Sequence, residues 1–329
     1  MDFDIKYMER CIQLARCGEF GAAPNPMVGA VIVHKGRIIG EGYHHHCGGP
    51  HAEVNAIRSV KQPELLPESI LYVSLEPCAH YGKTPPCADL IIENRIPRIV
   101  VGTLDPFAKV NGLGIKRLRE AGAEVTVGVM EKECLALNER FITFLQKRRP
   151  WILLKWAQSQ DGFIAQEDGT SVSFSTPETQ VLVHRLRAYS KAIMIGTRTS
   201  LVDNPKLTAR LWPGPNPLRV TIDRRNILPD DLNIKKTEAE TVIYQTGDLR
   251  EILSDLHQRN VQSLMVEGGR QLLQSFMDEG LWDKIRVETS PIMLKKGICA
   301  PQLPETNVTE EIEIDGNNIQ ILRPLSFEC

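Results

Sequence analysis

The chain has 329 residues, 42% hydrophobic and 24% charged, which favours two globular domains over a single core and excludes a low-complexity or disordered chain. A formal net charge of -2 excludes a bulk electrostatic grip on nucleic acid. No run of 18 apolar residues exists, and the start MDFDIKYMERC lacks the basic lead and apolar run of a secretory signal, so a cytoplasmic protein that spans no membrane is expected.

In chain order, residues 4–17 carry helical periodicity, with Ile5, Met8, Ile12 and Ala15 near one face. MVGAVIVHKGRIIGEGYH reads as a β-hairpin turning at Lys35-Gly36. A helix is expected from about His51, a strand at ILYVSL, and a proline-opened helix at PPCADLIIENR. RIVVGTLD and AEVTVGV read as strands around the helix GIKRLREAG, which glycine stops. This alternation indicates a layered α/β domain. Residues 130–149 read as one further helix, and its basic end followed by Pro150 marks a boundary near 147–150. The second half opens on a buried strand, WILLKWAQSQDGFIA, with a polar turn. Strands recur at AIMIG, LRVTID, TVIYQ, SLMVEGG and KIRVETSPIML, with helices between, giving a second α/β domain. EIEIDGNNIQILRPL reads as a terminal hairpin.

The eight cysteines, at 11, 17, 47, 78, 87, 134, 299 and 329, are scattered along a long chain and do not form a disulfide framework. Two of them stand out. His51, in HAEVNAI, is followed by Cys78 and Cys87 in EPCAHYGKTPPC. One imidazole and two thiolates suit Zn²⁺, and three protein ligands leave a tetrahedral position for water. Glu53, two residues after His51 at a helix start, can reach toward such a water and shuttle its proton. His-x-Glu with Pro-Cys and a second Cys is a zinc-deaminase signature. Alternatives stand beside it. His-x-Glu is common on helix surfaces, the two cysteines are nine positions apart rather than three, and Cys47 and the run His44-His45-His46 offer competing ligands.

The flanking residues narrow the reading. APNPMVGAVIV, GYHHHCGGPHAEVNAI and LEPCAHYGKTPPC, continuing through VVGTLDPFAKVNGLGIKRLREAGAEV and LNERFITF, closely resemble the deaminase half of the bifunctional riboflavin-biosynthesis deaminase/reductase family over residues 1–148. The resemblance implies a cytidine-deaminase-like three-layer α/β/α domain with one Zn²⁺ on His51, Cys78 and Cys87 and Glu53 as proton shuttle. It also implies that Asn25 and His44 face the pyrimidine, with Lys83 near the ribose phosphate. Taken alone, Asn25 is a turn residue between prolines and Lys83 a solvated loop charge.

In the second half, Lys155 is a lone charge in an apolar strand, which needs an anionic partner or a function. Gly268-Gly269 stand between a strand and a helix, where backbone N–H groups can meet a phosphate, although such a pair is usually only a turn. No G-x-G-x-x-G follows a strand, so a Rossmann fingerprint is absent. KWAQSQDG, GTRTSLVDNPKLTAR and VEGGRQLLQSF resemble the reductase half of the same family, whose fold is similar to dihydrofolate reductase, over about 151–295 within a domain 149–329. The resemblance implies NADPH, with cofactor contacts at Ala157, Ser173, Thr199 and Asp203 and cofactor phosphate at Gly268 and Gly269. It implies substrate contacts at Ser171, Arg187, Leu207, Arg210 and Glu267, with Lys155 close to the reacting ribose. Two positions depart from relatives: Ser173 stands where many have Trp, and Lys295-Lys296 where paired glycines are common.

The reading implied is one polypeptide with two successive activities of riboflavin synthesis. The first deaminates 2,5-diamino-6-(5-phosphoribosylamino)pyrimidin-4(3H)-one to 5-amino-6-(5-phosphoribosylamino)uracil. The second reduces the ribosyl chain to ribityl with NADPH. Small phosphoribosylaminopyrimidines are the expected partners, in a homo-oligomer without nucleic acid or membrane. Two rivals are a nucleic-acid base deaminase with an accessory C-terminal domain, which calls for a basic stripe, and a zinc scaffold whose site a fourth protein ligand closes.

Overall fold

The computed structural model describes residues 2–79, 85–106, 112–236 and 239–325. The chain divides into two compact units, Met1–Lys147 and a second that begins at Arg148.

The first unit is built on five strands: β1 (Gly29–His34), β2 (Arg37–Tyr43), β3 (Ile70–Val73), β4 (Arg98–Val101) and β5 (Glu124–Val127), in the order β2-β1-β3-β4-β5. β1 runs antiparallel to β2 and β3, and β3, β4 and β5 are parallel. Side-chain alternation sorts each strand between two cores. Ala30, Ile32, Leu71, Val73, Ile99 and Val101 pack under α2 (Ala52–Ser59), α3 (Cys87–Glu93) and α4 (Leu113–Glu120). Val31, Val33, Tyr72 and Val100 pack under α1 (Asp2–Arg16) and Cys134 of α5 (Glu131–Leu137). The result is a three-layer α/β/α sandwich. α1 buries Tyr7, Met8, Cys11, Ile12 and Ala15, whereas Ile5 in its first turn is 39% exposed.

The single helix expected over 130–149 is two, α5 and α6 (Glu139–Lys147), broken at Asn138. The Asn138 side chain bonds the backbone of Met27 instead of lying on a continuous helix surface.

In the second unit eight strands form one sheet. They are β6 (Trp151–Gln158), β8 (Ala192–Ile195), β9 (Leu218–Ile222), β10 (Thr241–Tyr244), β11 (Ser263–Val266), β12 (Lys284–Thr289), β14 (Thr306–Ile314) and β15 (Asn317–Pro324). The order is β10-β9-β8-β11-β6-β12-β15-β14, with the first six parallel, β15 antiparallel to β12 and β14 antiparallel to β15. The terminal hairpin is therefore an extension of the main sheet rather than an appendage. β7 (Phe163–Ala165) pairs separately with β13 (Ile298–Cys299). The strand expected over 284–294 stops at Thr289; beyond it, Gln160 N–H donates to Ile292 O.

One sheet face, with Ile152, Leu154, Trp156, Leu264 and Val266, packs on α9 (Leu249–Gln258) and α10 (Arg270–Asp278). Trp151, Leu153 and Met265 on the other face meet Val183 of α7 (Pro177–Tyr189). By parity Lys155 and Ala157 share this α7 side. Arg149, which in sequence falls at the basic end of the helix expected over 130–149, is a buried member of the second unit. It forks onto Asp283 at 2.5 and 2.9 Å, and Asp283 also accepts Ile152 N–H, so the pair fixes the start of β6. No described helix is long and apolar enough to cross a membrane.

Candidate active sites

In the first unit, α2 begins immediately after His51, which caps the helix in extended conformation, and Glu53 lies in its first turn. α2 seats against β2 because position 42 is glycine: a Cβ there would lie 2.3 Å from Ala56 N. Cys87 opens α3, and Cys78 arrives on the segment after β3. That segment is anchored by Glu76, whose buried carboxylate accepts N–H from Asp105, Gly112, Gly114 and Ile115 at 3.2, 2.9, 2.9 and 3.4 Å.

These elements bring His51 Nδ1 to 3.6 Å from Cys78 Sγ and 3.3 Å from Cys87 Sγ. The three ligand atoms lie within 4.8 Å of one another, which is the size of one face of a tetrahedral N/S₂ site. The donor set fits zinc, with one imidazole nitrogen and two sulfurs converging, and hydrogen bonds from Cys87 and His51 hold the Cys78 thiol well below its ordinary pKa. The same contact pushes the Cys87 thiol up, and the Cys78 contact raises His51. Glu53 is 3% exposed, and its burial, with Cys78 beside it, pushes its carboxyl up to about 7.

A cavity of about 280 Å³ opens on this cluster, lined by His51, Glu53 and Cys78 and by Asn25 and His44. The His44 tautomer follows from its partners: Nδ1 lies 3.0 Å from Pro50 O, so it donates, and Nε2 accepts from Asn25 Nδ2 at 3.0 Å. His44 is neutral, its pKa lowered chiefly by burial. It is thereby tied into the cavity wall, and Cys47 is an exposed cysteine; neither belongs to the His51–Cys78–Cys87 group. Lys83 lies outside the described residues. Sequence reasoning missed Phe141 and Leu145, which also line the cavity; an i, i+4 apolar pair was their only signal.

The second unit holds a groove of about 890 Å³ at the carboxyl ends of β6, β8, β9 and β11. Of the residues expected there, Lys155, Ala157, Ser171, Thr199 and Asp203 line it, as do Glu267, Gly268 and Gly269. Across the sheet Lys155 stands in register with Arg286 of β12. Burial lowers its pKa, with Arg286 and Arg187 adding to the effect and Glu267 and Glu288 opposing it. Burial also opposes ionisation of Glu267, yet Arg187 and Lys155 hold its carboxyl below the ordinary value. Burial raises Asp203, against a hydrogen bond from Ser171.

Gly268 has φ +127, a conformation other residues rarely adopt, and Gly269 caps α10. A Cβ on Gly269 would stand only 3.1 Å from Thr199 Oγ1, so Thr199 packs closely against this turn and glycine is the residue that fits. Arg187 is turned onto Glu267 rather than into the groove. Leu207 is buried in a separate cluster with φ +54, while Ser173 and Arg210 are exposed and do not line the groove. Lys295 occupies a left-handed position, φ +68, which explains why glycine suits it; its N–H and that of Leu294 donate to Asp161. Arg198 and Arg224 line the groove without having been anticipated.

Comparison with known proteins covers both units. Residues 1–103 match the cytidine and deoxycytidylate deaminase zinc-binding region, and residues 150–312 match the RibD C-terminal domain. The riboflavin biosynthesis protein RibD of Aquifex aeolicus is 36% identical, over 98% of this chain and 96% of its own length. That of Escherichia coli is 35% identical over 90% of each chain. A crystal structure of a diaminohydroxyphosphoribosylaminopyrimidine deaminase/5-amino-6-(5-phosphoribosylamino)uracil reductase from Thermotoga maritima superposes with a TM-score of 0.91 at 36% identity, covering 98% of this chain and 99% of the other.

Proposed function

The chain belongs to the RibD family of riboflavin biosynthesis proteins, a deaminase joined to a reductase, and from that premise we propose which residues carry each reaction and on which substrates. It is a bifunctional enzyme: a hydrolytic deaminase with a zinc-binding region and an NADPH-dependent reductase. The substrates proposed are 2,5-diamino-6-(5-phosphoribosylamino)pyrimidin-4(3H)-one for residues 1–148, and its deaminated product for residues 149–329. One zinc per deaminase domain, a homo-oligomer and a cytoplasmic location belong to the same proposal.

The observation that carries the deaminase assignment is the buried Glu53 beside the His51–Cys78–Cys87 triangle in one cavity. Zinc, when bound, supplies a Lewis acid that brings a water's pKa toward about 7. Glu53 would take a proton from the water whose oxygen replaces the amino group, and would return protons to the pyrimidine as the C–N bond breaks and ammonia leaves. Burial suits Glu53 to both halves of this task, because a carboxyl with a raised pKa accepts and returns a proton readily. His44, fixed as the Nδ1–H tautomer, leaves the Asn25 side-chain oxygen free to accept from the pyrimidine edge. The proposal puts Lys83 at the ribose phosphate.

For the reductase, Gly268 and Gly269 at the start of α10 offer backbone N–H groups to cofactor phosphate, flanked by Thr199. Ala157 and Asp203 complete the cofactor set proposed from the groove, and Ser171 and Glu267 the substrate set; Ser173, Leu207 and Arg210, which do not line the groove, belong to these sets only through the family resemblance. Arg187 acts through Glu267. Lys155, which has no carboxylate within ion-pair distance among the described residues and lines the groove, serves as the acid–base group at the ribose carbon that receives hydride.

A two-stage assay of the purified protein tests this. Ammonia release without NADPH, followed by NADPH oxidation only after the first stage, is the expected result. NADPH oxidation on the undeaminated substrate with no ammonia release would sink the order of steps.

A further inference from the structure

Asn138 stands at the break between α5 and α6, 3% exposed, and its side chain serves one distant residue. Its Oδ1 accepts the Met27 N–H at 2.8 Å, and its Nδ2 donates to the Met27 carbonyl at 2.9 Å, across 111 positions of sequence. One amide thus satisfies both backbone groups of Met27, as a neighbouring strand would. The chain beside Met27 is pinned as well: Val28 O accepts from His44 N–H at 3.0 Å, and Asn25 N–H donates to Ala22 O at 2.9 Å. On its other side Asn138 starts α6, its carbonyl accepting from Ile142 N–H at 2.9 Å. Three and seven residues further on, Phe141 and Leu145 line the same cavity as Asn25 and Pro26.

We propose that Asn138 is a positioning residue of the deaminase site, locking the apolar α6 wall, Phe141 and Leu145, to the Asn25 loop so that the pyrimidine meets both at a fixed separation. The inference rests on the reading of this cavity as the deaminase site. A side-chain amide presents a donor and an acceptor side by side on two atoms, as the N–H and carbonyl of Met27 require. Aspartate keeps the acceptor and sets a carboxylate against the Met27 carbonyl; leucine keeps neither and leaves two backbone groups unpaired. His51, Glu53, Cys78 and Cys87 stand on α2, α3 and the segment after β3, and none of them bonds Asn138. The effect of losing the lock therefore falls on substrate binding and not on the metal or the proton path.

The test uses the full chain, zinc-loaded, with its own reductase activity as the control for folding. Asn138→Leu and Asn138→Asp should raise the deaminase KM on the order of tenfold or more, because a small displacement of a binding wall is strongly felt. Deaminase kcat should stay within about threefold, with zinc content and reductase KM unchanged. A purely structural asparagine would lower the melting temperature and leave the KM of the folded enzyme alone, and that result overturns the proposal. So does a fall in kcat at constant KM. Should both variants prove insoluble, Phe141→Ala, which leaves the Met27 bonds in place, carries the test: a raised KM supports the wall, and an unchanged KM overturns it. Full deamination by zinc-loaded Glu53→Gln would instead remove the deaminase-site reading itself, so the two failures are distinguishable.

Discussion

Arg187 and Glu267, eighty positions apart, close a two-pronged ion pair at 3.0 and 2.7 Å, with side chains only 13% and 10% exposed, at the carboxylate that flanks Lys155. Arg187 also donates to Thr208 O at 3.3 Å. Arg187→Leu removes the partner and leaves a buried carboxylate, so the second unit should lose roughly 3–5 kcal/mol of stability. Urea unfolding of the fragment 148–329 measures it; a loss below about 1 kcal/mol would mean that water reaches Glu267.

The same pair sets a pH dependence. Glu267 has a folded-state pKa below its ordinary value of 4.5, so its contribution is present above about pH 4.5 and is lost as pH falls through the lower, folded value. The stability gap between wild type and Glu267→Gln should therefore be constant near neutrality and close on acidification below 4.5. A gap that widens in acid would contradict the assignment of Glu267 as the ionised partner.

Glu53→Gln is expected to retain zinc, since His51, Cys78 and Cys87 are untouched. Deamination should fall by more than the roughly 10²–10⁴-fold typical of general acid–base groups, because Glu53 handles successive proton transfers. NADPH oxidation on supplied uracil substrate should be unaffected. Near-normal ammonia release from the zinc-loaded variant would remove Glu53 from the mechanism.

Cys78→Ser and Cys87→Ser should each lose zinc, whereas exposed Cys47→Ser should keep it. Chelation of wild type should abolish deamination and spare the reductase, given that the two units each have their own cores. Metal analysis of the three variants decides; equal loss in all three means that the ligand set is wrong.

Gly269→Ala should raise the KM for NADPH about tenfold, since the added methyl crowds Thr199 at the start of α10 where phosphate is expected. Substrate KM should change little. An unaltered NADPH affinity, read by fluorescence titration, would place the phosphate elsewhere.

Much of this protein is legible in residue order alone. The short apolar runs of β1 and β3, the proline before Cys87 and the glycines closing helices declare alternating strands and helices, because local sterics and residue propensities act over a few residues. His51, Glu53, Cys78 and Cys87 are equally legible, since zinc and proton transfer restrict the chemistry to few residue types. What sequence leaves open is decided by packing across long separations. Asn138 looks like one more residue in a continuous helix, yet it breaks the helix to reach Met27, and nothing local carries that information. Arg149 reads as the basic end of that helix, yet Asp283 pairs with it inside the second unit. Arg187 and Glu267 read separately as substrate contacts, and only the fold reveals that they satisfy one another. Residue order determines which groups are chemically able to act. Tertiary structure decides which of them are desolvated together, and a buried charge or amide takes its role from the partner that the fold supplies.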